Sequence, residues 1–432
     1  MTSIVTPDTG SPLALVERAV QDHAKAIALD TASPAGEARL RTLIDEAVDA
    51  WQDDHKRGRR PHALIDPAGL AERAFRNLAR YGPLTPLLQD DDVWEVMINS
   101  PSEIFVKRHR GPSGYHDEVF HDDEHVTRTL TKILDDSSTS HRKLDPTEGL
   151  QDAQLDTGAR LHIVHGDLAR GGHIVVNIRK FTGVAYRTLD QLTERDMMTP
   201  AVARFLAAAV TAKASIVFAG APGSGKTTLM SCCAAELDPS LRVVMAEEVF
   251  ESDIPVANLA SLQTRAPRAD RPGIDLRRLV AGFLRMAPDI AIVGEVRDRE
   301  ALPLLLTLSS GVKGYTTIHA GSARQALTRL RFICQLADTT SELPISALNT
   351  LVSEAIDLVV HCERGADGPR ITGVLAVEDL VAGADATQFT VTELFARRTL
   401  RDQVAPTGAV PSRLATLFER AGLDLNAHLE TT

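Results

Sequence analysis

The sequence has no long apolar run, few cysteines and no excess of positive charge. None of its apolar stretches reaches the roughly 20 residues that a helix needs to cross a bilayer. The N-terminus, Met1 to Asp8, lacks the basic region and the apolar core of a signal peptide, so we expect a cytoplasmic protein. The net charge of −11 argues against a broad nucleic-acid footprint, and no direct nucleic-acid binding is expected.

The cysteines contain no C-x-x-C pair, and most of them lie within apolar stretches. They are Cys232, Cys233, Cys334 and Cys362. We interpret them as small buried side chains rather than as zinc ligands. A basic run, Lys56 to Arg60, has two interpretations: a solvated connecting segment or a local basic patch.

Helical periodicity and strand-like runs divide the chain into five predicted regions. They are an N-terminal helical region (1–60), a smaller α+β domain (61–181), a linker (182–199), an α/β domain (200–398) and a C-terminal tail (399–432). In the α/β domain strand-like and helix-like segments alternate, which is typical of a mainly parallel sheet. After Pro411 we expect a short surface helix and a loose tail.

One motif in the α/β domain specifies a chemistry. Residues 220–227 fit the phosphate-binding pattern G-x-x-x-x-G-K-[ST], between a strand-like run and a helix-like run. Glycines let backbone amides converge on phosphate oxygens, and the helix N-terminus adds partial positive charge. Lys226 is expected to contact the β- and γ-phosphates, and the Thr227 hydroxyl to bind Mg²⁺. The predicted nucleotide contacts are Gly220, Ala221, Pro222, Gly223, Ser224, Gly225, Lys226, Thr227 and Thr228.

Two more strand-like runs end in carboxylates. Residues 289–295 end at Glu295 in the arrangement of a Walker B strand, and we expect Glu295 to act as a general base or to orient the attacking water. Its alternative role is to cap the next helix. Residues 243–248 end at Glu247 and Glu248, whose mutual repulsion Mg²⁺ would relieve. The alternative for this pair is an exposed acidic turn.

A third strand-like run, residues 314–320, carries His319 near its end. This histidine is a candidate sensor that couples loss of the γ-phosphate to movement, and its alternative is a structural histidine. The sequence therefore predicts a catalytic Mg-ATP site with ATP and Mg²⁺ as cofactors.

Together these segments resemble the ATPases of the type II/type IV secretion superfamily. Residues 242–248 resemble the family's acidic box, with Glu248 where aspartate is usual. Residues 284–297 resemble its Walker B region, and residues 316–320 its histidine box. Upstream, residues 81–99 resemble the start of the N-terminal domain in Flp/Tad pilus assembly ATPases, and Ile178-Arg179-Lys180-Phe181 resembles its end.

The resemblance implies a RecA-like P-loop NTPase C-terminal domain with a smaller α+β N-terminal domain and N-terminal helices. It also implies a homohexameric ring with nucleotide between the two domains, and Mg²⁺ held by Thr227 and Glu248, directly or through water. Arg160 and Arg179 occupy positions where the family places arginines that approach the phosphates. Each is alternatively an ordinary surface residue.

The function implied by the resemblance is that of a motor ATPase. It would power Flp/Tad pilus assembly or type II/IV protein secretion, and would work at the cytoplasmic membrane through inner-membrane platform proteins. A conjugation-type secretion ATPase is the alternative within the superfamily. A nucleotide-regulated scaffold or switch with little turnover is the alternative from a different class.

Overall fold

The protein divides into two compact units, residues 1–182 and 183–432, in a computed structural model of the full chain. The structure describes residues 11–31, 33–108, 111–137, 143–180, 186–265, 272–337, 343–365, 368–379, 388–397, 399 and 401–430. Residues 1–10 of the predicted helical region, Phe181, residues 182–185 of the predicted linker, and residues 398, 400, 431 and 432 lie outside the described residues. No helix within the described ranges is long and apolar enough to cross a membrane.

The N-terminal unit contains five helices and six strands in its described part. In chain order they are α1 (Pro12–Ala26), α2 (Pro34–Lys56), α3 (Pro67–Ala79), α4 (Leu84–Gln89), β1 (Val93–Ser100), β2 (Glu103–Arg108), β3 (Gly114–Tyr115), α5 (Asp123–Asp136), β4 (Leu150–Gln154), β5 (Arg160–Val164) and β6 (Val175–Arg179). The strands form one antiparallel sheet in the order β3-β2-β1-β6-β5-β4. Apolar residues of α4 and α5 pack with this sheet in a shared core.

The first three helices share the same start signals. Each begins with proline in its first turn after a capping residue, and the caps Ser11, Ser33 and Asp66 accept backbone N–H bonds. The apolar faces of the helices pack together in a core separate from that of the sheet. This packing accounts for the helical periodicity of the N-terminal sequence.

The basic run at the end of α2 is paired within the chain. Lys56 Nζ lies 3.1 Å from Asp53 Oδ1, and Arg59 lies 3.4 Å from Asp54 Oδ1. The Arg60 guanidinium stacks 4.1 Å from the Trp51 ring centroid. These partners favour a solvated helix end over a basic patch that binds a separate polyanion.

The C-terminal unit is built on a nine-stranded sheet. Its elements are α6 (Leu189–Glu194), α7 (Pro200–Thr211), β7 (Ile216–Gly220), α8 (Lys226–Ala234), β8 (Val243–Glu247), β9 (Leu259–Gln263), α9 (Leu276–Val280), β10 (Ile290–Val296), α10 (Ala301–Ser309), β11 (Lys313–Ile318), α11 (Ala323–Ala337), α12 (Ile345–Ala355), β12 (Leu358–Gly365), β13 (Gly368–Val377), β14 (Val391–Ala396), β15 (Ala405–Pro406), α13 (Ser412–Arg420) and α14 (Leu425–Leu429).

The strand order is β15-β14-β13-β12-β7-β11-β10-β8-β9. The six strands from β12 to β9 are parallel, and β13, β14 and β15 extend the sheet antiparallel. Helices cover both faces, so successive strand residues such as Val217 and Phe218 enter opposite cores. The predicted RecA-like α/β fold, with a smaller α+β unit before it, is confirmed.

Two segments pack more tightly than the sequence analysis expected. Leu189 and Met198, within the predicted linker, are buried in the same core as α7 and α8. A helix follows Pro411 as expected, but Leu414 and Phe418 of α13 and Leu425 and Leu429 of α14 are buried in that core as well, so the expectation of a loose tail was wrong. The two α13 residues are four apart and lie on one helix face, which is the spacing that buries an amphipathic helix.

A buried carboxylate ties α13 to the central strands. Asp357 Oδ1 accepts a bond of 2.8 Å from Arg413, and its Oδ2 accepts bonds of 2.8 Å from Lys313 Nζ and from the Ser215 backbone N–H. Ser215 immediately precedes β7, and Lys313 begins β11. Because Asp357 is buried, each of these partners contributes to offsetting its desolvation.

Truncation of Phe418 tests whether α13 belongs to the core. We expect Phe418→Ala to lower the free energy of unfolding of the C-terminal unit by about 3–5 kcal/mol, because it leaves a cavity among buried side chains. Urea unfolding measures this change, with the exposed Glu419→Ala as the matched control on the same helix. Equal stability of the two variants would mean that α13 is not packed in solution.

Candidate functional site

The phosphate loop joins β7 to α8 at the carboxyl end of the parallel strands. Gly220 has φ +152°, and a Cβ atom there would lie 2.2 Å from the Cys362 carbonyl oxygen of β12 and 2.5 Å from Ser224 Oγ. Gly225 caps α8 in the left-handed region at φ +87°. At Gly220 a side chain would collide with neighbouring atoms, and at Gly225 the backbone is in the left-handed region, so both positions require glycine.

The inside of the loop is polar and basic. Ser224 is fully buried, and its Oγ has no hydrogen-bond partner among the residues that the structure describes. Lys226, in the first turn of α8, donates to the Ala221 carbonyl oxygen at 2.8 Å. Thr227 and Thr228 follow in the same turn and are half-buried. A buried hydroxyl without a partner, a lysine and a helix N-terminus fit an anionic group such as a nucleotide phosphate.

His319 links the phosphate loop to the Walker B strand. It follows β11, the strand between β7 and β10, so Glu295 is not on the strand next to the phosphate-loop strand. Its Nδ1 lies 3.2 Å from Lys226 Nζ, and its Nε2 lies 2.8 Å from Glu295 Oε1. Nε2 faces a carboxylate, which only accepts, whereas Nδ1 faces both a donor, the lysine ammonium, and an acceptor, the Gly220 carbonyl oxygen at 3.2 Å. The imidazole thus connects the two predicted halves of the site.

Glu295 has two basic neighbours. His319 Nε2 lies 2.8 Å from its Oε1, and Arg297 donates to its Oε2 at 2.7 Å. Burial raises the pKa of Glu295, but the hydrogen bonds from His319 and Arg297 outweigh it and hold the pKa at about 2. A carboxylate with so low a pKa is a weak proton acceptor near neutral pH, so this arrangement favours orienting a water over abstracting its proton.

The two adjacent glutamates at the end of β8 have different surroundings. Glu248 is exposed and accepts a bond of 3.2 Å from Arg297, which also binds Glu295. Glu247 is buried, and its Oε1 accepts bonds from Ser252 Oγ at 2.9 Å and from the Glu251 N–H. Its Oε2 is buried without a hydrogen-bond partner within the described part of the chain. Burial raises the pKa of Glu247 to about 7.

Arg160 and Arg179 lie side by side in the N-terminal unit. They are directly opposite each other on β5 and β6, and Glu95 on β1 is opposite Arg179. Lys107 on β2 is opposite Glu95 and lies 2.5 Å from its Oε2. The four residues form one charged row across the sheet, because directly opposite residues project from the same face. The approach of either arginine to a phosphate stays a prediction.

Arg364 contacts the phosphate loop, and the sequence analysis missed it. It lies on β12, is exposed, and donates to the Gly223 carbonyl oxygen at 3.1 Å. The parallel register pairs Cys362 with Gly220, which brings the following residues beside the loop. Because this register is set by the tertiary fold, no local pattern around Arg364 could have indicated it.

The four cysteines are buried, as expected for small core side chains. Burial raises the thiol pKa of Cys232 and of Cys334 to about 12, so both stay protonated. Among the described residues, no group of three or more His, Cys, Asp or Glu side chains could hold a metal ion. Mg²⁺ in nucleotide sites needs only one or two protein oxygens beside the phosphates, and Thr227 with Glu248 would supply them.

The parallel sheet, the phosphate loop and the carboxylate at the end of β10 define a P-loop NTPase with a RecA-like core. Residues 77–406 match the family described as type II/IV secretion system protein, which spans most of the chain. The chain therefore belongs to the type II/IV secretion ATPase superfamily, as the sequence analysis predicted.

Several relatives share this region. The type IV secretion system protein PtlH of Bordetella pertussis is 32% identical over 306 residues, which cover 66% of this chain and 89% of PtlH. The conjugal transfer protein TrbB of Rhizobium radiobacter is 33% identical over 231 residues, covering 50% and 68%. A solved structure, the VirB11 ATPase from the Brucella suis type IV secretion system in complex with sulphate, is 27% identical, with a TM-score of 0.36 over 68% of this chain and 91% of that one.

The protonation of Glu247 gives a prediction about pH and stability. A carboxyl group whose folded-state pKa is raised binds a proton in the folded protein, and that stabilisation is lost as the pH rises from about 4.5 to about 7. Glu247→Gln is neutral at every pH and does not lose this stabilisation. The unfolding free energy of Glu247→Gln minus that of the natural protein should therefore rise by about 3 kcal/mol over this interval. Metal-free urea unfolding between pH 4.5 and 8 measures the gain.

The matched control is Glu354→Gln, an exposed glutamate in the same unit. Its unfolding free energy should stay within about 0.5 kcal/mol of the natural protein over the whole pH range. Parallel pH profiles for Glu247→Gln and the natural protein would show that the Glu247 carboxyl group does not take up this proton.

Proposed function

We propose that this chain is a motor ATPase that hydrolyses ATP with Mg²⁺ at the phosphate loop. The observation that carries the proposal is the chain of contacts from Lys226 through His319 to Glu295. These contacts support the proposal, because they connect Lys226, the predicted phosphate contact, with Glu295, the predicted water-positioning group. A loop that merely bound phosphate would not require the second half of this arrangement.

In the proposed mechanism the loop amides of residues 220–227 and the Lys226 ammonium hold the β- and γ-phosphates. The Thr227 hydroxyl and the Glu248 carboxylate would hold Mg²⁺, directly or through water. When bound, Mg²⁺ neutralises charge on the phosphate oxygens. Lys226 then exchanges its bond to the Ala221 carbonyl oxygen for a bond to a phosphate oxygen. Because His319 contacts both Lys226 and Glu295, it transmits this change to Glu295.

Glu295 orients the attacking water, because His319 contacts one of its carboxylate oxygens and connects it to Lys226. Glu247, with a pKa of about 7, is the carboxyl group better suited to take up a proton near neutral pH. Arg160 and Arg179 would stabilise the charge on the transferred phosphoryl group, as arginine fingers do in other NTPases. We propose these roles from residue chemistry and family resemblance together.

We further propose that the protein works in the cytoplasm as a homohexamer. It would act at the membrane through inner-membrane platform proteins of a secretion or pilus system. Membership of the type II/IV secretion ATPase superfamily supports this assembly. The bounds of the five predicted regions belong to the same proposal.

The cargo has two candidates. Resemblance of residues 81–99 to Flp/Tad pilus ATPases supports pilus assembly. The relatives PtlH and TrbB are a type IV secretion protein and a conjugal transfer protein, which favours secretion or conjugation as the second candidate. Neighbouring genes for a small pilin and two polytopic platform proteins would support the first, and genes for a relaxase and a coupling protein the second.

Two substitutions separate nucleotide binding from turnover. We expect Lys226→Ala to lose ATP binding, because it removes the phosphate-binding cation. Glu295→Gln should keep ATP binding and lower turnover by about 10²- to 10⁴-fold, the usual contribution of a positioned catalytic group. Equilibrium binding of a fluorescent ATP analogue and steady-state phosphate release measure the two effects.

The matched control is Asp298→Asn, an exposed carboxylate in the loop that follows Glu295. It should bind and turn over ATP like the natural protein. Full turnover by Glu295→Gln would refute the catalytic assignment. ATP binding without phosphate release by the natural protein would instead favour a nucleotide-regulated scaffold or switch.

A further inference from the structure

One arginine bridges the two acidic strand ends of the site. Arg297 follows β10 directly, and its guanidinium lies 2.7 Å from Glu295 Oε2 and 3.2 Å from Glu248 Oε2. Glu295 belongs to β10 and Glu248 follows β8, so a single side chain joins the ends of two neighbouring strands. The fork of the guanidinium suits this task, because its donors can face two carboxylates at once.

The backbone of Arg297 is anchored while its side chain reaches into solvent. Glu300, buried at the start of α10, accepts bonds from the Arg297 N–H at 2.5 Å and from the Asp298 N–H at 2.8 Å. The Arg297 side chain itself is 45% exposed. Rotation of the side chain can therefore release both carboxylates without moving the loop that carries it.

The two carboxylates need a cation at this position. Two nearby negative charges destabilise each other unless a positive charge lies between them. Hydrogen bonding to Glu295 and the charge of Glu248 raise the pKa of Arg297, which reflects how strongly the pair favours the cation. A divalent metal ion at Glu248 would satisfy the same requirement with twice the charge.

We propose that Arg297 is a positioning residue that holds Glu295 and Glu248 until Mg²⁺ arrives with the nucleotide and replaces it at Glu248. The inference rests on the proposed function. When Arg297 leaves, Glu295 retains its contact with His319 and gains a free oxygen, Oε2, to orient water. The exchange would keep the site inactive until both metal and nucleotide are present.

The exchange predicts a change in how strongly Mg²⁺ and nucleotide promote each other's binding. We define the metal effect as the ratio of the dissociation constants of a non-hydrolysable ATP analogue, AMP-PNP, in excess EDTA and in excess Mg²⁺. In the natural protein Mg²⁺ must displace Arg297, which weakens this effect. Arg297→Ala removes the competitor and leaves two unpaired carboxylates, so the metal effect should rise about tenfold, within the usual range for coupled sites.

Isothermal titration calorimetry of the full-length protein measures both dissociation constants without requiring turnover. Arg299→Ala is the matched control, because it removes an exposed positive charge from the same loop. Its metal effect should equal that of the natural protein. Arg297→Lys keeps the charge but not the forked geometry, so it should give an intermediate value and a folded comparison if the alanine variant is unstable.

A double substitution tests the route through Glu248. If Mg²⁺ and Arg297 compete for this carboxylate, Arg297→Ala should no longer raise the metal effect in a Glu248→Gln background. An unchanged or reduced metal effect in Arg297→Ala alone would overturn the inference. Equal weakening of AMP-PNP binding with and without Mg²⁺ would also overturn it, because Arg297 would then contact the phosphates directly.

The same binding measurements distinguish failure of the proposed function from failure of the inference about Arg297. If the natural protein bound no AMP-PNP in either condition, the nucleotide site itself would be wrong. If it bound AMP-PNP and hydrolysed ATP while Arg297→Ala and Arg299→Ala showed the same metal effect, only the exchange at Arg297 would be refuted.

Discussion

The candidate site depends on the position of one imidazole ring. His319 contacts Lys226 through Nδ1 and Glu295 through Nε2, and these residues come from elements on either side of β11. Its Nδ1 also lies 3.2 Å from the carbonyl oxygen of Gly220, the last residue of β7, so the ring contacts the strand that leads into the phosphate loop as well. The register of β7, β11 and β10 therefore matters as much as the three residue types.

This dependence shows which parts of the site the sequence could predict. The phosphate loop and the strands around Glu247, Glu295 and His319 were predictable, because each is a local motif on an apolar run. The strand that ends at Glu295 was expected at residues 289–295, and the structure has it at Ile290–Val296. Short, fully buried strands of this kind carry a strong local signal.

Contacts made across the sheet were not predictable from local patterns. Arg364 reaches the phosphate loop through the pairing of β12 with β7, and Arg297 joins residues from two strands. Glu247 and Glu248 were predicted as an acidic pair at a strand end or as an exposed acidic turn, whereas the structure buries the first and exposes the second. All five residues of β8 are buried because helices cover both faces of the sheet, and Glu248 is exposed because it lies beyond the end of the strand.

The tie at Asp357 has a consequence for handling the protein. Arg413 of α13 shares this buried carboxylate with the Ser215 N–H at the entrance of β7, the strand that leads into the phosphate loop. A C-terminal truncation before α13 would leave the Asp357 charge with fewer partners at the base of that strand. The last helices thus stabilise the strand that leads into the nucleotide site, and shortened versions of the protein should end after them.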